Sequence, residues 1–401
     1  MSLARQVERH IIKNTRCKGL VTPEYSGLSL PNVMHSIHKG FGISTKRALN
    51  PEFFDPGILK NAKKVVLLCV DGFGYDQLKK ARFLRKLEHM PITSVLPSTT
   101  TTALSSLSTG LTPQEHGILG YRIYLRELGA VTNMLRFGPS NGMGSFLDDG
   151  ILPEVFFPEK TGFHRLKRAG VRPTILNKAE FVDSPLSQMI YRGGEQVPFL
   201  NLPDLFLKAQ RAVRRRGKQF AYLYWDMIDI MSHMHGTAGK EIKGEIKLLD
   251  SQVEEFVGNL PRGTIFILTA DHGVINTSSR GMTKLDDERE LMELLNPPPT
   301  GEARLRYLHC RRGKKERVRA LVEKRLSKRG LLFESKKLLE DGWFGIGKPL
   351  DETEKRLGDF TLIPKKNYGF TFPFLDTRVH KGRHGGLSKE EMLIPLVWEQ
   401  Y

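Results

Sequence analysis

The feature that most restricts the fold of this chain is an unbroken apolar run over residues 65–70, which ends at Asp71 and Gly72. An apolar run of this length without polar alternation is typical of a strand that is buried on both faces of a sheet. In open α/β sheets, ligands bind beyond the carboxyl ends of such strands. The pattern therefore predicts a buried parallel strand that presents Asp71 to a ligand site.

Further apolar runs repeat this pattern along the chain, and two segments between them have helical character. Strands that alternate with helices predict a mostly parallel sheet covered on both faces, so we expect an α/β fold with a three-layer α/β/α core. Residues 116–137 alternate glycine turns with apolar runs, which predicts a loop or hairpin over the sheet edge. The predicted strands are residues 92–96, 173–176, 220–225, 264–270 and 392–398, and the predicted helices are residues 201–218 and 239–260.

The length of 401 residues exceeds what one small core holds, so we expect a main domain with a large insertion. Residues 1–62 contain several proline turns and are predicted to form a lead-in that packs on the core. The core is predicted at residues 63–280 and resumes at residues 361–401. Between these segments, residues 281–360 change in character and are predicted to form a smaller, basic inserted module that caps the core.

The charge balance is strongly basic, because 62 lysines and arginines face 44 aspartates and glutamates and give a net charge of +18. Residues 301–330 alone carry twelve lysines and arginines against three glutamates, which accounts for half of that net charge. Such a balance favours acidic partners, namely phosphorylated substrates, nucleic acid or an anionic membrane. The alternative is a basic surface that only keeps the protein soluble.

The three cysteines, Cys17, Cys69 and Cys310, offer neither a disulfide framework nor the spacing of a zinc finger. We therefore expect a reducing, cytoplasmic location. The N-terminus is charged throughout and lacks the apolar region of a signal peptide. No stretch approaches the roughly 18 to 20 apolar residues that cross a bilayer, so no transmembrane segment is predicted.

Side chains that can bind metals follow or flank the predicted strands. Asp229 and His233 are four residues apart, so they would share one face of a helical turn. An aspartate and a histidine are a usual ligand set for a divalent metal. A run of threonines at residues 99–102 suits a helix N-terminus, where one hydroxyl caps the helix and another faces a ligand. Each feature alone also fits a cap, an exposed pair or a loop residue, but together they predict one site with donors for two metals. The donors are Asp71, Thr100, Asp229, His233, Asp271, His272 and His384.

Five sequence blocks occur in a fixed order: VDGFGYDQL, PSTTTTALSSLSTGLTPQEHGI, DIMSHMHG, TADHGV and RHGG. In this order they resemble the metal-binding blocks of the alkaline phosphatase superfamily, and within it those of the type I phosphodiesterase/nucleotide pyrophosphatase branch. The resemblance covers residues 63–116, 220–274 and 382–397. It implies an alkaline phosphatase-like core that hydrolyses phosphoric esters at a two-metal site.

The resemblance also implies a role for each donor. The nucleophilic threonine of that branch stands three residues after a proline and nine before the threonine of a Thr-Gly pair, which selects Thr100 here. Thr99 and Thr101 are the neighbouring alternatives. One metal would be bound by Asp229, His233 and His384, and the other by Asp71, Asp271 and His272.

One position departs from the family pattern. Pyrophosphatase members carry an asparagine five residues after the histidine of the HGI block, where it binds a phosphoryl oxygen, and this chain has Tyr121 there. The Tyr121 hydroxyl could donate the same hydrogen bond, or Asn133 could reach in from the next segment. The choice between diester and monoester therefore stays open. A phosphomonoesterase or a phosphoglycerate mutase-like phosphotransferase is the alternative, whereas the C/S-x-P-x-R motif of sulfatases is missing.

The expected mechanism follows from the weak acidity of threonine. Coordination to a divalent cation lowers the pKa of a hydroxyl enough for attack at neutral pH, so Thr100 would carry the phosphoryl group until water releases it. Aspartate and histidine suit zinc, with manganese as the alternative. The expected partner is a small phosphorylated substrate such as a nucleotide. A second alternative is a basic protein that binds nucleic acid or a membrane surface without turnover.

Overall fold

The structure, a computed structural model, describes residues 2–157, 160–373, 375–376 and 379–401. Its helices, α1 to α15 in chain order, are Leu3–Lys13, Leu30–Gly40, Tyr75–Leu78, Thr100–Thr109, Pro113–His116, Gly162–Arg168, Pro185–Ile190, Leu202–Arg214, Met227–His235, Lys240–Gly258, Arg289–Glu293, Lys315–Leu326, Ser335–Glu340, Thr353–Leu357 and Lys389–Met392. Its strands, β1 to β18, are Lys64–Val70, Glu88–Thr93, Arg122–Leu125, Ala130–Asn133, Gly138–Pro139, Val171–Lys178, Glu195–Phe199, Lys218–Trp225, Thr264–Thr269, Ile275–Asn276, Met282–Lys284, Thr300–Glu302, Leu305–Leu308, Gly330–Glu334, Phe360–Pro364, Gly369–Thr371, Gly382–Arg383 and Leu393–Gln400.

The centre of the fold is a seven-stranded sheet in the order β2-β18-β9-β1-β8-β6-β7. β1 pairs in parallel with β8 and β9, and β6 pairs in parallel with β7 and β8. β18 runs antiparallel to both of its neighbours, β2 and β9. Every residue of β9 and all but the first of β1 are buried, as expected for strands covered on both faces. The mostly parallel central sheet predicted from the apolar runs is therefore confirmed.

Helices cover this sheet in two groups. α8 packs against β1, β6 and β8, and α10 packs against α8 and α9. The second group contains α2, α4, α6 and α7, and its member α6 packs against β6. The arrangement is the predicted three-layer α/β/α core. Among the described residues, no helix is both long enough and apolar enough to cross a membrane.

The parallel register brings the carboxyl ends of three strands to one level. Val70 at the end of β1 lies opposite Trp225 at the end of β8. Cys69 lies opposite Thr269 at the end of β9. Residues that follow these strands therefore meet at the same edge of the sheet.

The predicted strand at residues 92–96 is wrong in its bounds, because β2 covers Glu88–Thr93 and its pairing with β18 stops there. Val95 and Leu96 are nevertheless fully buried. The Leu96 N–H donates to the Tyr25 hydroxyl (3.3 Å) and not to a neighbouring strand. The apolar character of these residues thus reflects burial of a loop and not strand pairing.

The predicted helix at residues 201–218 is also too long. α8 ends at Arg214, and Gly217 turns the chain with a positive φ of 83° before β8 begins at Lys218. The hairpin predicted within residues 116–137 is confirmed, because β3 and β4 pair in an antiparallel register. The remaining predicted strands and the second helix match observed elements to within two residues at each end.

The lead-in, residues 1–62, and the basic segment, residues 301–330, both contain buried side chains. Val7 and Val33 of the lead-in belong to the main hydrophobic core. A separate four-stranded sheet, β12-β13-β15-β14, packs with α12 around a second core that includes Leu308 and Val318. The boundaries proposed for the lead-in, core and insertion stay a prediction.

Three buried histidines join segments of the main core. The His35 Nε2 lies 2.9 Å from the Gly110 carbonyl oxygen, and the His38 Nε2 lies 3.1 Å from the Gly162 carbonyl oxygen. Burial lowers the pKa of His35 and of His38 to about 4, and it lowers the pKa of His116 to about 3. All three side chains are therefore neutral in the folded protein at neutral pH.

We expect the free energy of unfolding to fall as the pH drops from 6.5, the ordinary histidine pKa, to about 4. In this window the unfolded chain binds protons on these histidines and the folded chain does not, so acid favours unfolding by about 1.4 kcal/mol per pH unit for each histidine. Urea unfolding at a series of pH values measures the slope. The His38→Gln variant should make the slope shallower by about one proton. An unchanged slope in that variant would contradict the prediction.

Candidate active site

Three neighbouring strands bring five of the predicted donors to one edge of the central sheet. Asp71 directly follows β1, and Asp271 with His272 follows β9. Asp229 and His233 lie one turn apart on α9, which begins just after β8. These residues lie beyond the ends of the buried strands. There the chain leaves the regular ladder, so polar side chains can face a ligand.

The other two donors come from a loop and a helix. His384 follows β17, and its ring stacks on the ring of His272 with centroids 3.7 Å apart. Thr100 is the first residue of α4, and its Oγ1 lies 3.2 Å from the His272 Nε2. Of the neighbouring threonines, Thr99 lines a cavity together with Thr100. The Thr101 hydroxyl is buried without a hydrogen-bond partner among the described residues. The structure thus brings all seven predicted donors together.

The first cluster contains Asp71, Asp271 and His272. The His272 Nε2 lies 3.4 Å from Asp71 Oδ1 and 3.3 Å from Asp271 Oδ2. The other carboxylate oxygens are held in place, because the Tyr224 hydroxyl donates to Asp71 Oδ2 and the Gly72 N–H donates to Asp271 Oδ1 (3.1 Å). Each aspartate is therefore oriented by one oxygen and leaves the other turned toward His272.

The second cluster contains Asp229, His233 and His384. The His233 Nε2 lies 3.1 Å from Asp229 Oδ2 and 3.3 Å from the His384 Nε2. The His384 Nε2 lies 3.9 Å from Asp229 Oδ1. Ligand atoms of Asp229, His272 and His384 also lie within 4.8 Å of one another, so His272 connects the two clusters.

The three histidines of the clusters, His233, His272 and His384, have a common hydrogen-bonding arrangement. Each ring contacts a backbone carbonyl oxygen through Nδ1, and a carbonyl can only accept, so Nδ1 carries the proton. The lone pair is then on Nε2, the atom that each ring turns toward the clusters. Such an outer hydrogen bond commonly orients histidines that bind metals. The contacts are His233 with Gly382 O (2.8 Å), His272 with Gly273 O (3.2 Å) and His384 with Ser98 O (3.2 Å).

Within the two clusters, three buried carboxylate oxygens accept no hydrogen bond from the described residues, namely Asp71 Oδ1, Asp229 Oδ1 and Asp271 Oδ2. Burial raises the pKa of Asp71, and the nearby charges of Asp271 and Asp229 raise it further. Unpaired carboxylates that repel one another in a buried site are costly unless a cation neutralises them. The oxygens and the imidazole nitrogens together fit divalent metal ions, and zinc accepts this donor set.

A cavity of about 560 Å³ opens beside Thr100 and the second cluster. Its wall combines donors from the core with residues of the β3–β4 hairpin and of the basic segment. The lining residues are Thr99, Thr100, Tyr121, Arg122, Asn133, Leu135, Arg136, Ser140, Asp229, His233, Glu302, Ala303, Asp376, His380, Arg383 and His384.

Tyr121 and Asn133 lie in this wall and are hydrogen-bonded to each other. The Asn133 Nδ2 donates to the Tyr121 hydroxyl (3.0 Å), and the Asn133 Oδ1 accepts from the Leu135 N–H (3.0 Å). The tyrosine hydroxyl thereby keeps its own proton available for a ligand. The two alternatives raised for this position thus form one hydrogen-bonded pair.

Sequence reasoning missed Glu302, a buried carboxylate that β12 carries into the cavity. The Tyr121 N–H donates to Glu302 Oε1 (3.0 Å), and Glu302 Oε2 lies 3.9 Å from the His384 Nδ1. Burial raises the pKa of Glu302. It stands alone in the stretch PPPTGEARLRY, so no local pattern marks this glutamate.

Four further cavity residues were also missed. Arg122, Arg136, Arg383 and His380 line the wall, and the ring of His380 lies 4.3 Å from the ring of His233. Arg122 directly follows Tyr121 in the sequence, and Arg383 directly precedes His384. This adjacency to predicted site residues was the one sequence signal for the two arginines. The three arginines add positive charge to a wall that also contains the carboxylates of Asp229, Glu302 and Asp376.

The sequence pattern of the family described as "Type I phosphodiesterase / nucleotide pyrophosphatase" matches residues 65–387. The chain belongs to this family. The match spans most of the chain, including the predicted donors, and confirms the resemblance to this branch of the alkaline phosphatase superfamily. Membership makes the protein a hydrolase that acts on phosphoric esters.

Solved structures with the same fold are ectonucleotide pyrophosphatase/phosphodiesterases. Murine ectonucleotide pyrophosphatase/phosphodiesterase 5 superposes with a TM-score of 0.64 at 18% identity, over 83% of this chain and 87% of that chain. An inactive variant of the murine protein in complex with AMP gives a TM-score of 0.61 at 16% identity, with the same coverage. The human protein gives 0.63 at 17% identity, over 84% and 87%. These similarities confirm the alkaline phosphatase-like fold, whereas no curated protein matches the sequence.

Proposed function

We propose that the protein hydrolyses phosphodiester or pyrophosphate bonds of small nucleotides, through a phosphorylated Thr100 and with two divalent cations. The observation that carries this proposal is the position of the Thr100 hydroxyl. It lies at the first residue of α4 and 3.2 Å from the His272 Nε2, where the two donor clusters adjoin. A hydroxyl in this place can reach a phosphoryl group that the site binds.

In the first step, Thr100 Oγ1 attacks phosphorus, a new O–P bond forms, and the bond to the leaving oxygen breaks. The hydroxyl proton passes to solvent in the cavity, and the leaving oxygen takes up a proton from water. The N-terminus of α4 favours an anion beside Thr100, because its first backbone N–H groups lack helical partners. We expect Tyr121 to donate its hydroxyl proton to a phosphoryl oxygen, because its oxygen accepts from Asn133 and it lines the cavity.

In the second step, water attacks the phosphorylated threonine from the side that the leaving group has vacated. Thr100 Oγ1 then leaves and recovers a proton. Two successive in-line displacements give net retention of configuration at phosphorus. Bound cations would lower the pKa of the threonine hydroxyl and stabilise negative charge on the phosphoryl oxygens.

A nucleotide is the favoured substrate for two reasons. A relative with this fold forms a complex with AMP, although its identity to this chain is only 16%. The cavity of about 560 Å³ is also within the range that holds a molecule of this size. A panel of a chromogenic phosphodiester, a phosphomonoester and a nucleoside diphosphate tests this choice, because preferential turnover of the monoester would overturn it.

We expect the active protein to contain about two divalent cations per chain, with zinc first and manganese as the alternative. Asp71→Asn should lower the metal content by about one ion, because it replaces a carboxylate of the first cluster. Elemental analysis of the purified protein measures this loss. Asp76→Asn is the matched control, since Asp76 is exposed and pairs with Lys79. Equal metal content in both variants would contradict the proposed ligand set.

The basic segment is less available to polyanions than its composition implies. At least six of its twelve cations form ion pairs with carboxylates, and two of these cations, Arg304 and Arg306, are fully buried. Binding of nucleic acid by residues 301–330 and a cytoplasmic location stay predictions. A nuclease-resistant oligonucleotide that failed to bind at low salt would remove nucleic acid as a partner.

A further inference from the structure

We propose that Arg122 and Arg383, supported by Arg136, bind a second phosphate group of the substrate beside the phosphoryl group that reacts at Thr100. The inference rests on the proposed function, because it assumes that the reacting phosphoryl group lies at the donor clusters. It assigns to these arginines the preference for a pyrophosphate over a simple diester.

The position of the two arginines indicates where the second phosphate group would bind. Arg122 directly follows Tyr121, and Arg383 directly precedes His384, while all of these residues line the same cavity as Thr100. A group bound by the two arginines would therefore lie in the cavity that Thr100 also lines. The adjacent phosphate of a P–O–P linkage fits this position better than a distant part of the substrate.

Arg122 and Arg383 have donors to spare. Within the described part of the chain, neither forms an ion pair or donates a side-chain hydrogen bond, and the Nε atoms of both are buried without a partner. Arg122 instead places its Cζ 4.5 Å from the centroid of the Tyr121 ring. A guanidinium has five N–H donors, and leaving them unused in a half-buried wall is costly. An anionic ligand would satisfy them.

Repulsion between arginines also favours an anion. The wall has three carboxylates: Asp229 belongs to the second donor cluster, Glu302 accepts from the Tyr121 N–H, and Asp376 already pairs with the fully buried Arg306. Burial lowers the pKa of Arg306, and repulsion from Arg122 adds to this effect. Arg306 and Arg122 therefore repel each other, and a bound anion would relieve this repulsion.

The geometry of the guanidinium group selects phosphate. Its planar fork donates two parallel hydrogen bonds to phosphate oxygens, so two arginines can hold a terminal phosphate on two sides. Arg136 has a different role. Its Nη2 donates to the Pro139 carbonyl oxygen (2.7 Å) and to the Gly142 carbonyl oxygen. These bonds anchor Arg136 in the wall, where it adds positive charge.

Calorimetric titration of the metal-loaded protein with two ligands tests this inference. AMP carries one phosphate, and α,β-methylene-ADP carries a second phosphate on a linkage that resists hydrolysis. We expect the wild type to bind α,β-methylene-ADP more tightly than AMP. Arg122→Gln or Arg383→Gln should weaken binding of α,β-methylene-ADP by about tenfold to a hundredfold and affect AMP much less. Arg122→Lys keeps the charge but loses the fork, so its loss should be intermediate.

Arg312→Gln is the matched control, because Arg312 is exposed and does not line the cavity. It should leave the ratio of the two affinities unchanged. Equal weakening of both ligands in the Arg122 and Arg383 variants, or no weakening, would overturn the inference. If Arg383→Gln did not fold, the two Arg122 variants would decide. Failure of the proposed function would appear separately, as absent turnover of a chromogenic phosphodiester by the wild type.

Discussion

Thr100→Ala is expected to lower the turnover of a phosphodiester by about a thousandfold or more, because removal of a nucleophile abolishes the covalent route. Its hydroxyl is the group that lies 3.2 Å from the His272 Nε2 at the junction of the donor clusters. The change removes only the hydroxyl and one methyl group from a half-buried residue, so the fold should tolerate it. Steady-state kinetics measure the loss, and metal analysis should show that the six aspartate and histidine ligands still bind the metal ions.

Thr101→Ala is the matched control on the same helix. The Thr101 hydroxyl is buried without a hydrogen-bond partner in the described residues, so its loss should change turnover far less. Mass spectrometry of acid-quenched protein should detect phosphorylated Thr100 in the wild type and none in Thr100→Ala. Near-full activity of Thr100→Ala would remove the proposed mechanism. A phosphorylated Thr99 or Thr101 would move the nucleophile to that residue.

The second large effect concerns stability. Glu391→Ala should lower the free energy of unfolding by about 3 to 5 kcal/mol, because it leaves the charge of Arg304 buried and unpaired. Both side chains are fully buried, and two parallel bonds join them, from Arg304 Nε to Glu391 Oε1 (2.9 Å) and from Nη2 to Oε2 (2.7 Å). Denaturant unfolding of the metal-loaded protein measures the change.

Glu390→Ala is the control for this prediction, since Glu390 is the exposed neighbour and loses the same charge. Its effect should stay within about 0.5 kcal/mol. Glu391 also accepts a bond from the Gly386 N–H (3.0 Å), two residues beyond His384. We therefore expect Glu391→Ala to loosen the loop that positions this histidine. Similar stability of both variants would show that the buried pair is not needed.

Much of the candidate site could be predicted from local patterns. An apolar run that ends at a polar residue indicates both a buried strand and the place where it stops, as at Asp71 and Asp271. Parallel strands bring such ends to one edge, so donors separated by about two hundred positions could be predicted to meet. The same logic failed at Leu96, because apolar character indicates burial whether or not a strand is formed.

The sequence by itself determined the sheet, the edge at which the donors gather and the family to which the chain belongs. Only the tertiary structure decided the wall of the cavity, namely Glu302 from β12, the bond between Tyr121 and Asn133, and the guanidinium groups of Arg122 and Arg383, whose Nε atoms have no partner among the described residues. The physical reason is that periodicity records how a segment folds and which face it buries. It does not record which distant surfaces meet, and that meeting is what places a glutamate of the basic segment against a hairpin residue.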